Sequence, residues 1–116
     1  MTIKNLTATD VARGLKDNSI VLIDVREPAE YAAERIHGAL LFPLSTFDPH
    51  ALPDCGKRIV VFQCGSGIRS ARAVAACQKA GMTDDSHLKG GIQAWKAAGL
   101  PTVSVDPATG QTRDRR

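Results

Sequence analysis

Two short stretches, IVLIDV (Ile20 to Val25) and RIVVFQC (Arg58 to Cys64), are apolar at almost every position and rich in β-branched residues. Runs of this kind suit strands covered on both faces rather than strands with one wet side. Helix-patterned segments separate and follow them. Thr7 and Asp10 form a capping-box start for a helix through Val11, Leu15 and Lys16, and Asn18-Ser19 breaks it. Glu27-Pro28 opens a second helix, EPAEYAAER, with Pro28 in its first turn. ALLFPL (Ala39 to Leu44) reads as a strand closed by Pro43, and STFDPHALPDCGK as turns with one short helical turn at most. Ser70 to Lys79 is a helix stopped by Gly81. HLKGG is a short polar strand, GIQAWKAA a last helix ended by Gly99-Leu100-Pro101, and TVSV an end strand. Strands alternating with helices, the strands buried, give an α/β fold: a mostly parallel sheet between layers of helices.

A chain of 116 residues is large enough to bury one core without disulfide or metal. The expected organisation is a single domain over residues 1–105 and a polar tail over 106–116, where five of eleven residues are charged. The net charge of +3 is mild, and aromatics, at 4%, interleave with no basic block, which argues against nucleic acid as a partner. No run is long enough to span a membrane, and the start MTIKNLTATD has no apolar leader core. Three cysteines, Cys55, Cys64 and Cys77, fit neither a disulfide framework nor a metal knuckle. A reducing, cytoplasmic setting follows, in which a cysteine is free to act as a nucleophile.

Sites in parallel sheets form at the carboxyl ends of strands. Cys64 falls at one such end, just before a helix, and Asp24 and Arg26 fall at another. In CGSGIRS, glycines at 65 and 67 allow the chain to curl so that successive N–H groups converge on one centre, an anion nest backed by the helix. Lowering a thiol pKa from about 8.5 to about 6.5 requires roughly 2.7 kcal/mol. A helix dipole supplies ~0.3–1 kcal/mol, at best ~2. Several N–H bonds to a charged sulfur, at ~1.5–3 kcal/mol each, supply the rest. With Arg69 alongside, no general-base histidine is required. The other candidates carry blander readings: Cys77 is a core residue of an alanine-rich helix, Cys55 a loop thiol with at most a resolving role, and His37 a turn residue.

These residues lie in three motifs, LIDVREPAEYAAERIHGALLFP, VVFQCGSGIRSARA and LKGGIQAWKAAGLP. In that order and spacing the chain resembles the rhodanese-like sulfurtransferases, the small single-domain ones in particular, from Ile3 to Val103. The resemblance implies a five-stranded sheet and a catalytic cysteine, matched by Cys64, that carries a persulfide. Gly65, Ser66, Gly67, Ile68 and Arg69 match the substrate-binding cradle around the outer sulfur. Asp24 and Arg26 match a charged pair bordering the site, and Gly90, Gly91 and Trp95 a packing signature.

The implied reaction is double displacement. The Cys64 thiolate takes the sulfane sulfur of a donor (thiosulfate, mercaptopyruvate or a persulfide) and yields it to cyanide or a thiol, which can belong to a small molecule or a thiol-carrying protein. No metal or organic cofactor is implied. The loop departs from many thiosulfate-using members, which place a cation just after the cysteine where this chain has Gly65 and Ser66. Two rival readings come from other classes. One is a phosphatase or arsenate reductase, whose loop is Cys-x5-Arg where this chain has Cys-x4-Arg. The other is a non-catalytic binding or regulatory module, which usually lacks the cysteine retained here.

Overall fold

The computed structural model describes residues 2–115. Its strands and helices run in the order β1 (Lys4–Leu6), α1 (Ala8–Lys16), β2 (Ile20–Asp24), α2 (Pro28–Ala33), β3 (Glu34–Arg35), β4 (Leu40–Leu41), β5 (Ile59–Gln63), α3 (Ile68–Lys79), β6 (Ser86–Leu88), α4 (Gly91–Ala97), β7 (Val103–Val105) and β8 (Thr112–Asp114). The main sheet is five-stranded and wholly parallel, in the order β1-β6-β5-β2-β4. Every residue of β2 is buried, as are Val60 to Gln63 of β5, so the apolar runs do mark the doubly covered centre.

Period-two alternation sends each central strand's side chains to two separate cores. Leu22, Val61 and Leu88 meet Val11 of α1 and Ile92 and Trp95 of α4 on one face. Val21, Ile23, Phe62 and Cys64 meet Ala73, Val74 and Cys77 of α3 on the other. Phe42, Leu44, Phe47 and Leu52, from the irregular stretch before β5, complete that second face, with Phe47 edge-on to Phe62 at 5.5 Å. Full burial of Phe62 is worth ~1.5–3 kcal/mol.

Several boundaries differ from the sequence expectation. The capping box is present: Thr7 Oγ1 accepts from Asp10 N and Asp10 Oδ2 from Thr7 N, both at 3.1 Å. The second helix stops at Ala33, two residues short of Arg35, because Glu34 is better satisfied extended. Its carbonyl accepts from Arg26, its carboxylate from Lys96 and Thr102, and its backbone pairs with β7. The ALLFPL strand shrinks to Leu40–Leu41, and the loop after it holds two 3-10 turns, Leu44–Thr46 and Pro49–Ala51. Edge strand β1 had no sequence signal, since KNL is short and largely exposed. TVSV does form a strand, in a second sheet of order β3-β7-β8. Its partner β8 lies within the stretch expected as a polar tail, so the 105/106 boundary falls inside a hairpin. Among the described residues no helix is long and apolar enough to cross a membrane.

Candidate functional site

β5, flanked by β6 and β2, ends at Gln63, and the next residue, Cys64, is 1% exposed. Four residues later α3 begins at Ile68, two residues earlier than its sequence suggests. Gly67 is the N-cap and has φ +104°, a left-handed conformation that a side chain resists; a Cβ there would also lie 3.2 Å from Gly90 N. Gly67 has no side chain to cap the helix, and the thiol does this instead. Cys64 Sγ accepts from Gly67 N at 3.1 Å and from Ser70 N, the third helical residue, at 3.3 Å. A sulfur in the cap position faces the positive end of the helix dipole.

Burial pushes the Cys64 thiol up, but the Ser70 hydroxyl and the N–H groups of Ser70, Gly67 and Ser66 outweigh it and hold the thiol below its ordinary value. Cys77, with no such donors, is pushed by burial up to about 11. All three cysteines are free thiols. Cys55 lines a hollow with Ile20 and Arg58 at the amino ends of β2 and β5, the opposite end of the strands from Cys64. Five strand residues, about 17 Å, intervene. His37 is in that hollow too.

The glycine pair before α4 forms the floor of the cysteine loop. Ile92 N donates to the Cys64 carbonyl at 2.8 Å and Gln93 N to the Gly65 carbonyl at 3.2 Å. A Cβ on Gly91 would meet the Cys64 carbonyl oxygen at 2.1 Å, so only glycine admits this approach. Packing is therefore the visible role of Gly90 and Gly91, and Trp95 lies in the core with Nε1 donating to the Pro101 carbonyl.

Asp24 and Arg26 form a buried pair: Arg26 donates to Asp24 through its backbone N, Nε and Nη2 at 2.9–3.1 Å. Arg26 Nη2 also reaches the Glu34 carbonyl, tying the end of β2 to β3. Gln63, opposite Asp24 in register, is buried with both amide atoms unpaired among the described residues.

Arg69 differs from the expectation of a free cation beside the sulfur. Its Nη1 and Nη2 donate to Glu30 Oε1 and Oε2 at 2.6 and 2.9 Å, a bidentate pair that holds Glu30 down to about 2. Gly65 leaves room for that guanidinium, since a Cβ would sit 3.3 Å from Nη2. Ser66 and Ile68 form the exposed rim, Ile68 at 65%. The site thus presents amide donors and an apolar lip, with Arg69 and Arg26 each paired to a carboxylate.

Sequence reasoning missed Glu30 and His87, and placed Ser70 in the loop motif without its hydroxyl contacts. The Ser70 hydroxyl lies 3.6 Å from Cys64 Sγ and 2.8 Å from His87 Nδ1, and His87 Nε2 lies 2.6 Å from Asn5 Oδ1. His87 was read as part of a polar strand, yet all of β6 is buried. Among the described residues no group of three or more His, Cys, Asp or Glu side chains is placed to hold a metal ion.

Comparison with known proteins agrees with this architecture. The chain is 41% identical over 93 residues to an uncharacterized protein of Synechocystis, covering 80% of this chain but only 52% of that longer protein. It is 35% identical over 106 residues to a sulfurtransferase of Allochromatium vinosum, covering 90% of this chain and 98% of the relative. The crystal structure of a rhodanese-related protein from Thermoplasma volcanium superposes with a TM-score of 0.73 at 28% identity, covering 86% and 97% of the two chains. Residues 7–98 match the rhodanese-like domain, a span that takes in the cysteine loop, the Asp24–Arg26 pair and the glycine floor. With fold, loop and relatives in agreement, the chain belongs to the rhodanese-like domain family.

Proposed function

We propose that the protein is a sulfurtransferase that carries a sulfane sulfur on Cys64 as a persulfide. The observation that carries this reading is the Cys64 sulfur held as the N-cap of α3, with N–H groups of Gly67 and Ser70 directed at it. The Cys64 thiolate attacks the transferable sulfur of a donor, a new S–S bond forms as that sulfur's bond to its leaving group breaks (S–S in a persulfide or thiosulfate, C–S in mercaptopyruvate), and the leaving group departs with the bonding pair. The outer sulfur of the persulfide lies in the loop from Gly65 to Arg69 until cyanide, a small thiol or a protein thiol attacks it and Cys64 leaves as thiolate. Asp24 and Arg26 border the site as a buried pair that fixes the end of β2 against β3. A reducing compartment such as the cytoplasm suits a protein whose cysteines are free.

The donor is one whose leaving group carries little charge, such as an organic persulfide or mercaptopyruvate. Arg26 and Arg69 are both paired, and the exposed Ile68 offers apolar contact at the rim. The same pairing weighs against a phosphatase, whose arginine must be free to bind the oxyanion.

Replacing Cys64 by serine tests the reading. Transfer of sulfur to cyanide, followed as thiocyanate, is expected to vanish in Cys64→Ser and to persist in Cys55→Ser and Cys77→Ser. Substantial turnover by Cys64→Ser would overturn it.

A further inference from the structure

The hydrogen bonds beneath the cysteine loop do not stop at Ser70. They continue through a buried histidine to the edge of the sheet: Cys64 Sγ to Ser70 Oγ at 3.6 Å, Ser70 Oγ to His87 Nδ1 at 2.8 Å, and His87 Nε2 to Asn5 Oδ1 at 2.6 Å. Each member has a fixed position. Ser70 is in the first turn of α3 and fully buried, His87 is on β6 and 6% exposed, and Asn5 is its register partner on the exposed edge strand β1. The chain of contacts leaves the sulfur on the side away from the exposed rim of Ser66 and Ile68.

The directions of the bonds follow from donor chemistry. Asn5 Oδ1 only accepts, so His87 Nε2 carries a proton and the neutral ring offers Nδ1 as an acceptor. The Ser70 hydroxyl is 2.8 Å from that nitrogen and 3.2 Å from the Gly67 carbonyl, its other acceptor. With its proton on Nδ1's side, Ser70 Oγ is free to accept from the Cys64 thiol. Reversing the two bonds between Cys64 and His87, with Nε2 still donating to Asn5 Oδ1, produces the other charge state. An imidazolium donates from Nδ1 to Ser70 Oγ, and the Ser70 hydroxyl then donates to the Cys64 thiolate.

We propose that His87 is a positioning and proton-holding residue that acts on Cys64 through Ser70, with Asn5 fixing its tautomer. This role rests on the sulfur-transfer reading of Cys64. In the first step the Cys64 S–H bond breaks and its proton passes to Ser70 Oγ, while the Ser70 proton passes to His87 Nδ1. The electron pair stays on sulfur, leaving thiolate and imidazolium in place of thiol and imidazole. His87 holds that proton on Nδ1 while Cys64 carries the sulfur and returns it through Ser70 once the acceptor has taken the sulfur and Cys64 has left as thiolate, so that protons and charge balance over the full cycle.

Other charged groups leave the ring to this chain of bonds. The titratable groups on elements packed around it are Lys4 on β1, Cys64 just past the end of β5, Arg69, Arg72, Cys77 and Lys79 on α3, and Asp85 and Lys89 flanking β6. Arg69 is turned to Glu30, and burial is what lowers the imidazole below its ordinary value. A buried imidazole of this kind takes a proton readily only when an anion forms nearby, as Cys64 does.

The test is the pH dependence of Cys64 alkylation by iodoacetamide, read on the Cys64 peptide by mass spectrometry so that Cys55 and Cys77 remain in place. Wild type is expected to show two inflections, the mark of coupled groups. His87→Asn keeps an acceptor near Nδ1 but cannot hold the proton. It is expected to show a single inflection about one unit higher, with alkylation about tenfold slower on the acid side. In a Ser70→Ala background the same substitution is expected to change nothing, because the link is cut. Asn5→Asp, at an exposed position that does not endanger folding, places a carboxylate on Nε2 and is expected to move the lower inflection up by about one unit. Superimposable profiles for wild type and His87→Asn, an undiminished His87 effect without the Ser70 hydroxyl, or no shift in Asn5→Asp would each overturn the proposal. Alkylation uses no sulfur donor, so failure of the sulfur-transfer reading would appear separately, as an absent persulfide with this pH behaviour intact.

Discussion

Glu30→Gln isolates what the neutralised arginine does. Glu30 and Arg69 make a bidentate pair at 2.6 and 2.9 Å with side chains 40% and 32% exposed, so the pair itself contributes only ~0–1 kcal/mol to stability. Glutamine retains the size and one acceptor while adding one unit of positive charge to the site. At an effective dielectric near 20 and about 6–8 Å, a unit charge pair is worth roughly 2 kcal/mol. Partial exposure of both side chains cuts this to about 1 kcal/mol, or about fivefold in kcat/KM. The assay is thiocyanate formation with thiosulfate, a dianion, beside an organic persulfide, a monoanion near neutral pH, each at two ionic strengths. Thiosulfate is expected to gain about three- to tenfold, the gain shrinking as salt rises, while the singly charged persulfide gains about twofold. An equal gain for both donors, or none for thiosulfate, would refute the argument that paired arginines set donor charge. A loss for both would show that the pair holds the loop rather than tunes it.

Three further outcomes follow from the same contacts. Gly91→Ala puts a Cβ 2.1 Å from the Cys64 carbonyl at a residue with φ +61°, so it is expected to destabilise by about 1–3 kcal/mol and to slow Cys64 alkylation, whereas Gly81→Ala, with open space around it, leaves alkylation unchanged; thermal melts and peptide-level alkylation check both. Asp24→Asn leaves the buried Arg26 uncompensated and is expected to cost about 3–5 kcal/mol, a fall of more than 10 °C in the melting temperature. Glu30 titrates at about 2 in the folded protein against an ordinary value of 4.5, so its contribution is present above about pH 4.5 and is lost as pH falls towards 2. Denaturant titrations in that window should therefore show a smaller acid loss for Glu30→Gln than for wild type; identical slopes would contradict the sign.

The sheet was legible because Ile20 to Val25 and Ile59 to Phe62 are apolar enough to require cover on both faces, and the capping box at Thr7 and Asp10 is a purely local device. Cys64 and its glycines were legible for the same reason, since the loop is built from contiguous residues. What escaped depends on partners distant in sequence. Glu30 meets Arg69 across 39 residues, and His87 meets Asn5 across 82. Nothing in EPAEY or SHLKG marks those side chains as turned towards the cysteine. Glu34 and Arg35 have helical neighbours and good helix propensity, but pairing with β7 and the bonds from Arg26, Lys96 and Thr102 decide their conformation. β8 escaped because TRD is exposed and polar and forms only against β7.

Mass analysis of the intact protein and of its Cys64 peptide, after brief exposure to a persulfide donor and removal of excess reagent, tests the central claim most directly. A gain of one sulfur atom on Cys64 alone is expected, lost on adding cyanide with one thiocyanate released per adduct. Donor-dependent thiocyanate formation with Cys64 unmodified throughout, or a sulfur that settles on Cys55 instead, would contradict it.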